Sequence, residues 1–472
     1  MWLSLQLFLV AHLSFRAVSR TLGVLGESLG ISKPPCPQTV INWVQRLSIA
    51  RIQTGIEAGC ASLTATRYAA GSIWLIDTSI GLGDGKILAV LALNTHHYLI
   101  SHGAPTMAHV TCLAVGVAPS WTGETIAAFL ERVIAVTGCP AAYLKDGGTD
   151  LSKATRLLAE RGLPSPCIDD ISHISANILK HEYQDHPLLS TFLTACGTAS
   201  KKLKQTVLAC LAPPKVSTKA RFMNLHRLVT WAEQILKHSP QGPASEDSVL
   251  AKLRAGLGAI PACTPFIQQF LRDGQALLAC QKLLKRQGLS QDSVRACHRL
   301  VEALPPNSAV RTALMAWAER QLEVARTLGL EHTGMPVSSD TIESLFGLAK
   351  QQGTGTVKDA NRIALRLPAF CGELTREDAQ RVLRISVNDQ QAVIGTLSSL
   401  IKQRRDILPS PGSLEDLRQS SDTSYLMLLP GAQNRSKTNA NTAISMSCQN
   451  ANGPPIDMEY HAHRGEEPEC SA

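Results

Sequence analysis

The 472-residue sequence is poor in aromatics, which make up 4% of it against 44% hydrophobic residues overall. It has no Cys-x-x-Cys pair; its thirteen cysteines stand at 36, 60, 112, 139, 167, 196, 210, 263, 280, 297, 371, 448 and 470. That spacing excludes zinc-finger and zinc-ribbon frameworks, and an odd count argues against a disulfide scaffold. Free, mostly buried thiols in a reducing compartment are expected. No apolar run reaches the roughly 18 residues of a membrane span, so a soluble protein without a membrane partner is expected. The opening MWLSLQLFLVAHLSF lacks a basic start and a small-residue cleavage site, and it continues with helical periodicity, which predicts a packed first helix instead of a signal peptide. GLGDGK (81–86) lacks GxxxxGK[ST] and leads into a strand, so a hairpin turn accounts for it better than a phosphate loop. Acid is the scarcer charge: 38 Asp and Glu against 46 Lys and Arg leave +8, which suits a polyanionic partner without requiring one.

Residues 1–60 read as helices broken at KPPCP. In QTVINWVQRLSIARIQ (38–53), Val40, Trp43, Val44 and Leu47 make an apolar stripe at helical spacing, with Arg46 off it and Arg51 near its end, where it would have to snorkel outward. Two readings stand for this segment: a helix-turn-helix DNA reader, with Arg46 and Arg51 on DNA, or a plain helical hairpin.

The texture then turns to strands. SIWLIDTSI (72–80), ILAVLALN (87–94), VTCLAVGVAP (110–119), PAAYLKD (140–146) and PSPCIDD (164–170) are β-rich, and TGETIAAFLERVIAVTG (122–138) and TDLSKATRLLAERG (149–162) are helical. The order βββαβαβ gives an α/β fold with a mixed five-stranded sheet. From 173 to about 335 the pattern is helical. A helix over SSDTIESLFGLAK (338–350) follows, and the Ser-, Asn-, Gly- and Pro-rich stretch 406–472 is expected as a disordered tail.

Three acids draw attention. Asp77 lies in an apolar strand, where an ionised carboxylate costs several kcal/mol unless paired with a cation; the bland alternative is a strand-edge or turn-capping acid. Asp146 ends the fourth strand, the place where α/β sheets gather ligands, though an Asp-Gly turn also explains it. Glu343 sits on a helix that Ile342, Leu345, Phe346 and Leu348 make apolar over much of its circumference. Seven residues on, Lys350 shares its helix face, two turns away. Together, three carboxylates at one corner can hold two divalent ions for in-line phosphoryl displacement.

On these residues the chain resembles a DDE transposase of bacterial insertion-sequence type. WLIDTSIGLGDGK resembles the strand carrying the first acid, AAYLKDGGTDL the second, and SSDTIESLFGLAK the helix carrying the last. The resemblance spans roughly residues 70–370. It implies a ribonuclease H-like core (70–180), an all-helical insertion (181–335), completion of the core by the glutamate helix (336–405), and Asp77, Asp146 and Glu343 as catalytic, metal-holding residues for two Mg²⁺, with Mn²⁺ able to substitute. It also implies transposon-end and target DNA as partners, a homodimer or larger synaptic assembly, and a bacterial cytoplasmic, nucleoid-associated setting. Glu343 and Lys350 resemble the end of a Tyr-Arg-Glu-Lys signature in which the lysine holds the DNA backbone. The Tyr and Arg positions carry Pro336 and Ser339, so a solvent-facing Lys350 stays open.

Asp170 and His173 follow the fifth strand. They fit either a helix cap or positions beside the metal corner, with His173 able to orient a scissile phosphate. His96, His97 and His102 lack a nearby acid or cysteine and read as a polar loop. Trp231 is read as core, with a wedge for unpaired DNA ends as the alternative. Basic runs recur in KKLKQ, PPKVSTKARFMNLHR, KLLKRQ and IKQRR. They are solvated helix faces individually and a phosphate-gripping surface only if aligned. Beside active transposition stand two other functions: a catalytically inactive or repurposed DNA-binding protein, and a stand-alone ribonuclease H-like nuclease.

Overall fold

The computed structural model describes residues 1–26, 28–63, 72–79, 81, 85–94, 104–215, 221–351, 359–394 and 427–428. The expectations for His96, His97 and His102, for IKQRR, and for most of the tail fall outside these residues.

Five strands form the sheet: β1 (Ser72–Thr78), β2 (Lys86–Asn94), β3 (Val110–Ala118), β4 (Ala142–Lys145) and β5 (Cys167–Asp169). They lie in the order β5-β4-β1-β2-β3. β1, β2 and β3 run antiparallel to one another, while β4 pairs parallel with β1 and β5 parallel with β4. This is the mixed α/β sheet read from the sequence, and strands one and four are neighbours, as a ribonuclease H-like arrangement requires. A sixth, two-residue strand, β6 (Met427–Leu428), extends the edge by pairing with β3, so a part of the segment expected as a disordered tail is built into the sheet.

The strands alternate between two apolar layers, as a pleat demands. Ile73 and Leu75 of β1 belong to one cluster and Trp74 and Ile76 to the other, all four fully buried. The second cluster is closed by α4 (Gly123–Thr137) and α5 (Thr149–Glu160), through Phe129, Leu130, Leu151 and Leu158.

The first cluster is larger. On that face lie the N-terminal helices α1 (Trp2–Leu9), α2 (Phe15–Leu25) and α3 (Pro37–Leu63). Leu5, Phe8 and Leu9 are core residues, in line with a packed first helix. α3 crosses β3 at Gly55, where a Cβ would come within 3.1 Å of Thr111 Cγ2. Its stripe of Val40, Val44 and Leu47 is fully buried. Along this stripe α3 is therefore a layer of the core, as both readings of the segment allow.

Arg51 does not snorkel. Its side chain is 8% exposed and pairs with Asp378 at 3.2 Å. It also donates to the carbonyls of Ala369, Cys371, Gly372 and Glu373. The sequence placed it on DNA, but its guanidinium is used inside the fold, because carbonyls at the end of Leu367–Phe370 and just beyond converge on it.

Between β5 and the glutamate helix the described residues form seven α-helices: α6 (Ile171–Tyr183), α7 (Pro187–Lys204), α8 (Arg221–His238), α9 (Val249–Leu257), α10 (Thr264–Gln287), α11 (Gln291–Val301) and α12 (Ala309–Thr327). Tyr183, Phe192, Phe266 and Phe270 form their aromatic centre, and Tyr183 donates to Asp273 at 2.5 Å. Trp231 packs at the rim, donating to the Leu211 carbonyl, which suits the core reading. The chain returns along a bridge between Leu289 and Met335. There Gly334 (φ 104°) passes so close to Gln287 that a Cβ would lie 2.3 Å from its carbonyl oxygen, so only glycine fits. After it comes α13 (Asp340–Gln351), and the described chain ends with α14 (Ala360–Ala364), α15 (Arg376–Arg384) and α16 (Val387–Ile394), apart from β6. Among the described residues no helix is long and apolar enough to cross a membrane.

Candidate active site: an acidic corner at the end of the sheet

Strand register brings the first two acids together. Ile76 pairs with Lys145, so Asp77 and Asp146 stand one step further along two adjacent parallel strands, whose backbones are about 4.8 Å apart. Alternation settles which way they face. Ile73 and Leu75, like Ala142 and Leu144, belong to the first cluster, and Asp77 and Asp146 continue those two series. Lys145 has the opposite parity, and its ammonium donates to Ser152 of α5. Both carboxylates therefore project from the face that carries α6 and α13.

Asp146 is folded over the turn that follows it. Its Oδ1 accepts from the Gly148 amide at 3.0 Å, and a Cβ on Gly148 would meet that oxygen at 2.8 Å. Both the turn and the ligand readings of Asp146 are thus compatible with one geometry.

Asp170 organises the other two members. It is 1% exposed, and its Oδ1 caps α6 by accepting from the amides of Ser172 and His173. Its Oδ2 accepts from the amide and hydroxyl of Ser339, at 2.6 and 2.9 Å, just before α13. Ile171 adds a backbone bond to the Val337 carbonyl, and the Thr341 hydroxyl one to that of Pro105. One buried carboxylate thus fixes the starts of both the His173 helix and the Glu343 helix. The sequence marked Asp170 as a cap; the Ser339 half of the clamp, 169 residues away, left no local signal.

On α13, Ile342, Leu345 and Phe346 are buried while Glu343 stays 46% exposed, with its Oε1 3.4 Å from His173 Nε2. That bond, helped by the charges of Asp170, Asp146 and Glu343 and opposed by burial, raises the His173 pKa to about 9. Asp77 is pushed up to about 7, by burial first, then by the Asp146 and Glu343 charges, against a 2.6 Å bond from the Thr78 amide and the His173 charge. No Lys or Arg among the described residues bonds Asp77. The four side chains occupy one electrostatic neighbourhood that is short of positive charge.

Hard oxygen donors in such a place fit Mg²⁺ or Mn²⁺, and the paired aspartates supply two. The set is not closed: among the described residues no three His, Cys, Asp or Glu side chains are already arranged to hold a metal, and Glu343 is engaged by His173. Lys350 lies on α13 as expected, with its side chain outside the described part. Beside Glu343 opens a cleft of about 410 Å³ whose walls include Phe222, His226, Arg227, Gln281 and Lys285. Lys285 is paired with Asp340 at 2.6 Å, and Gln281 donates to Ser172. Of the basic runs, KLLKRQ and the end of PPKVSTKARFMNLHR line this cleft.

No family model matches the chain, and no curated protein matches it. Among solved structures, one titled "Drosophila P element transposase strand transfer complex" is similar at TM-score 0.39 and 10% identity, over 74% of this chain and 87% of that one.

Proposed function

We propose that the protein is a transposase-type phosphoryl transferase, cutting and joining DNA phosphodiesters at the acidic corner. The observation that supports this most directly is the placement of Asp77 and Asp146 on one face at the ends of adjacent parallel strands, with the Asp77 pKa raised. A carboxyl so shifted by burial and by like-charged neighbours is a functional-site candidate with a physical cause. Asp77 and Asp146 would hold divalent cations, two in this reading, and Glu343 would complete the set on release from His173. Bound there, the cations supply Lewis-acid stabilisation of charge on the phosphate and leaving oxygens.

The chain's own groups have separate tasks. Deprotonated Asp77 and Asp146 bind and place the cations. Asp170 holds α6 and α13 in register with the strands. His173, charged below about pH 9, can donate to a phosphate oxygen in place of Glu343. Arg227 offers the adjoining cleft a cation for a DNA phosphate, whereas Lys285 there is already paired with Asp340.

A labelled duplex carrying the DNA ends that flank the coding region, incubated with Mg²⁺ or Mn²⁺, tests this. The wild type should nick and then join it, and Asp77→Ala and Asp146→Ala should do neither. Equal, untouched duplex for wild type and variants would remove catalysis. A second reading, DNA binding without catalysis, is favoured by one observation: Glu343 is engaged by His173, and among the described residues no three acid, His or Cys side chains are already arranged to hold a metal. Nicking without joining would point to a stand-alone nuclease.

A further inference from the structure

A second polar cavity, of about 320 Å³, lies between α3, the stretch Asp359–Arg366 and α16. Ligand sites start at about 300 Å³, so it is large enough for a phosphate group with a little of what carries it. Its charge is lopsided: Arg46, Arg362 and Arg366 line it against one carboxylate, Asp359. That carboxylate is already used, since it caps α14 through the Arg362 amide and lies 3.5 Å from Arg362 Nε.

Arg46 is held ready for a ligand. Gln390, 6% exposed, donates through Nε2 to Gln45 at 2.8 Å and Asn42 at 3.4 Å, which turns its Oε1 toward Arg46 Nε at 2.9 Å. The bond to Nε fixes the guanidinium plane, and the terminal nitrogens of Arg46 make no bond among the described residues. Arg366 lies 4.8 Å over the Phe15 ring and is bonded to no carboxylate among the described residues. Burial, and the neighbouring charge of Arg362, push its pKa down to about 10, the reverse of what a paired arginine experiences. A buried amide steering one arginine, beside a second that lacks an anion, is the arrangement of an anion seat.

The Asp359–Arg366 stretch that lines the cavity begins beside the acidic end of the sheet. Ala360, at its edge, sits against Gly85 (a Cβ there would be 3.1 Å from the Ala360 Cβ). Gly85 directly precedes β2, whose early residues pair with Asp77 and Thr78.

We infer that Arg46, Arg362 and Arg366 together seat a backbone phosphate of a nucleic-acid strand lying across that end of the sheet. This rests on the reading that the protein acts on DNA.

The test measures duplex binding by fluorescence anisotropy over a range of salt, for the wild type, an Arg46→Gln/Arg362→Gln double variant and an Arg376→Gln control, with thermal melting to verify folding. The double variant should flatten the slope of log K against log salt by about 0.9, the value of one phosphate contact, and the control should not. Wild-type binding with an unchanged slope in the double variant overturns the seat and leaves the functional reading intact. A wild type that binds no duplex overturns both. If inorganic pyrophosphate raises the melting temperature of the wild type but not of the double variant while the DNA slopes coincide, the cavity belongs to a small free phosphate ligand and the backbone seat is overturned.

Discussion

Arg51 and Asp77 are both charged groups taken out of water, under opposite conditions. Arg51 meets a carboxylate and four carbonyl oxygens, so its charge is satisfied on every side. Asp77 meets one amide and two further acids, and its proton becomes hard to remove. A satisfied buried charge fastens elements together: here it ties α3 to the Leu367–Phe370 turn and α15. An unsatisfied one marks a candidate functional site.

The largest expected effect would break the structural half of this contrast. Arg51→Met leaves Asp378 and the carbonyls without their donor, and should cost about 3–5 kcal/mol, read as a lower denaturation midpoint at unchanged m-value. An unchanged midpoint would mean that the staple contributes nothing.

The next effect has the opposite sign. Asp77 ordinarily titrates near 3.8 and here near 7. Between those values the folded state holds a proton that the unfolded chain has lost, so stability falls as pH rises from about 4 to about 7. Asp77→Asn should remove that loss and be more stable than wild type above pH 7, by on the order of 2–4 kcal/mol. His173 adds to the slope at higher pH: its folded pKa, raised from 6.5 to about 9, gives stability that is complete below 6.5 and lost as pH climbs through 9. That part should be about 1 kcal/mol, because both partners are partly exposed, and His173→Gln should abolish it. Denaturation midpoints from pH 4 to 10 check both; a flat wild-type profile would contradict the picture of a corner short of positive charge.

The smallest effect on stability sharpens the functional half. Gly148→Ala pushes a methyl group against the Asp146 carboxylate at an ordinary φ of −61°, so folding should change by less than about 1 kcal/mol. Stabilisation by Mn²⁺ should nevertheless fall severalfold if Asp146 helps hold the cation. Equal Mn²⁺-induced melting shifts in wild type and variant would remove Asp146 from the metal site.

Much of the sheet could be read from local pattern. The centres of SIWLIDTSI and ILAVLALN, residues 73–76 and 87–91, are apolar because β1 and β2 are buried there on both faces, and YLKDGG announces its turn because the Asp146 carboxylate lies against the bare Gly148. The helical character of 173–335 was equally plain. Arg51 reads locally as an outward-snorkelling arginine because that is the default at the rim of an apolar stripe, and nothing near residue 51 announces carbonyls at 369–373. Gln390, Arg362 and Arg366 carry no local signal for the same reason, since an amide or arginine on or beside a short helix has no meaning until its neighbour across the fold is known.

The sequence by itself determined the strands, the helices and the acids, because strand period, turn chemistry and the cost of a carboxylate in an apolar run act within a few residues. Only tertiary structure decided which buried charges are answered and which are not. That depends on partners such as Asp170 with Ser339, Glu343 with His173, and Arg46 with Gln390, brought together by packing from 169, 170 and 344 positions apart. Electrostatic energy depends on distance in space and on the water excluded, neither of which is written in the order of residues along the chain.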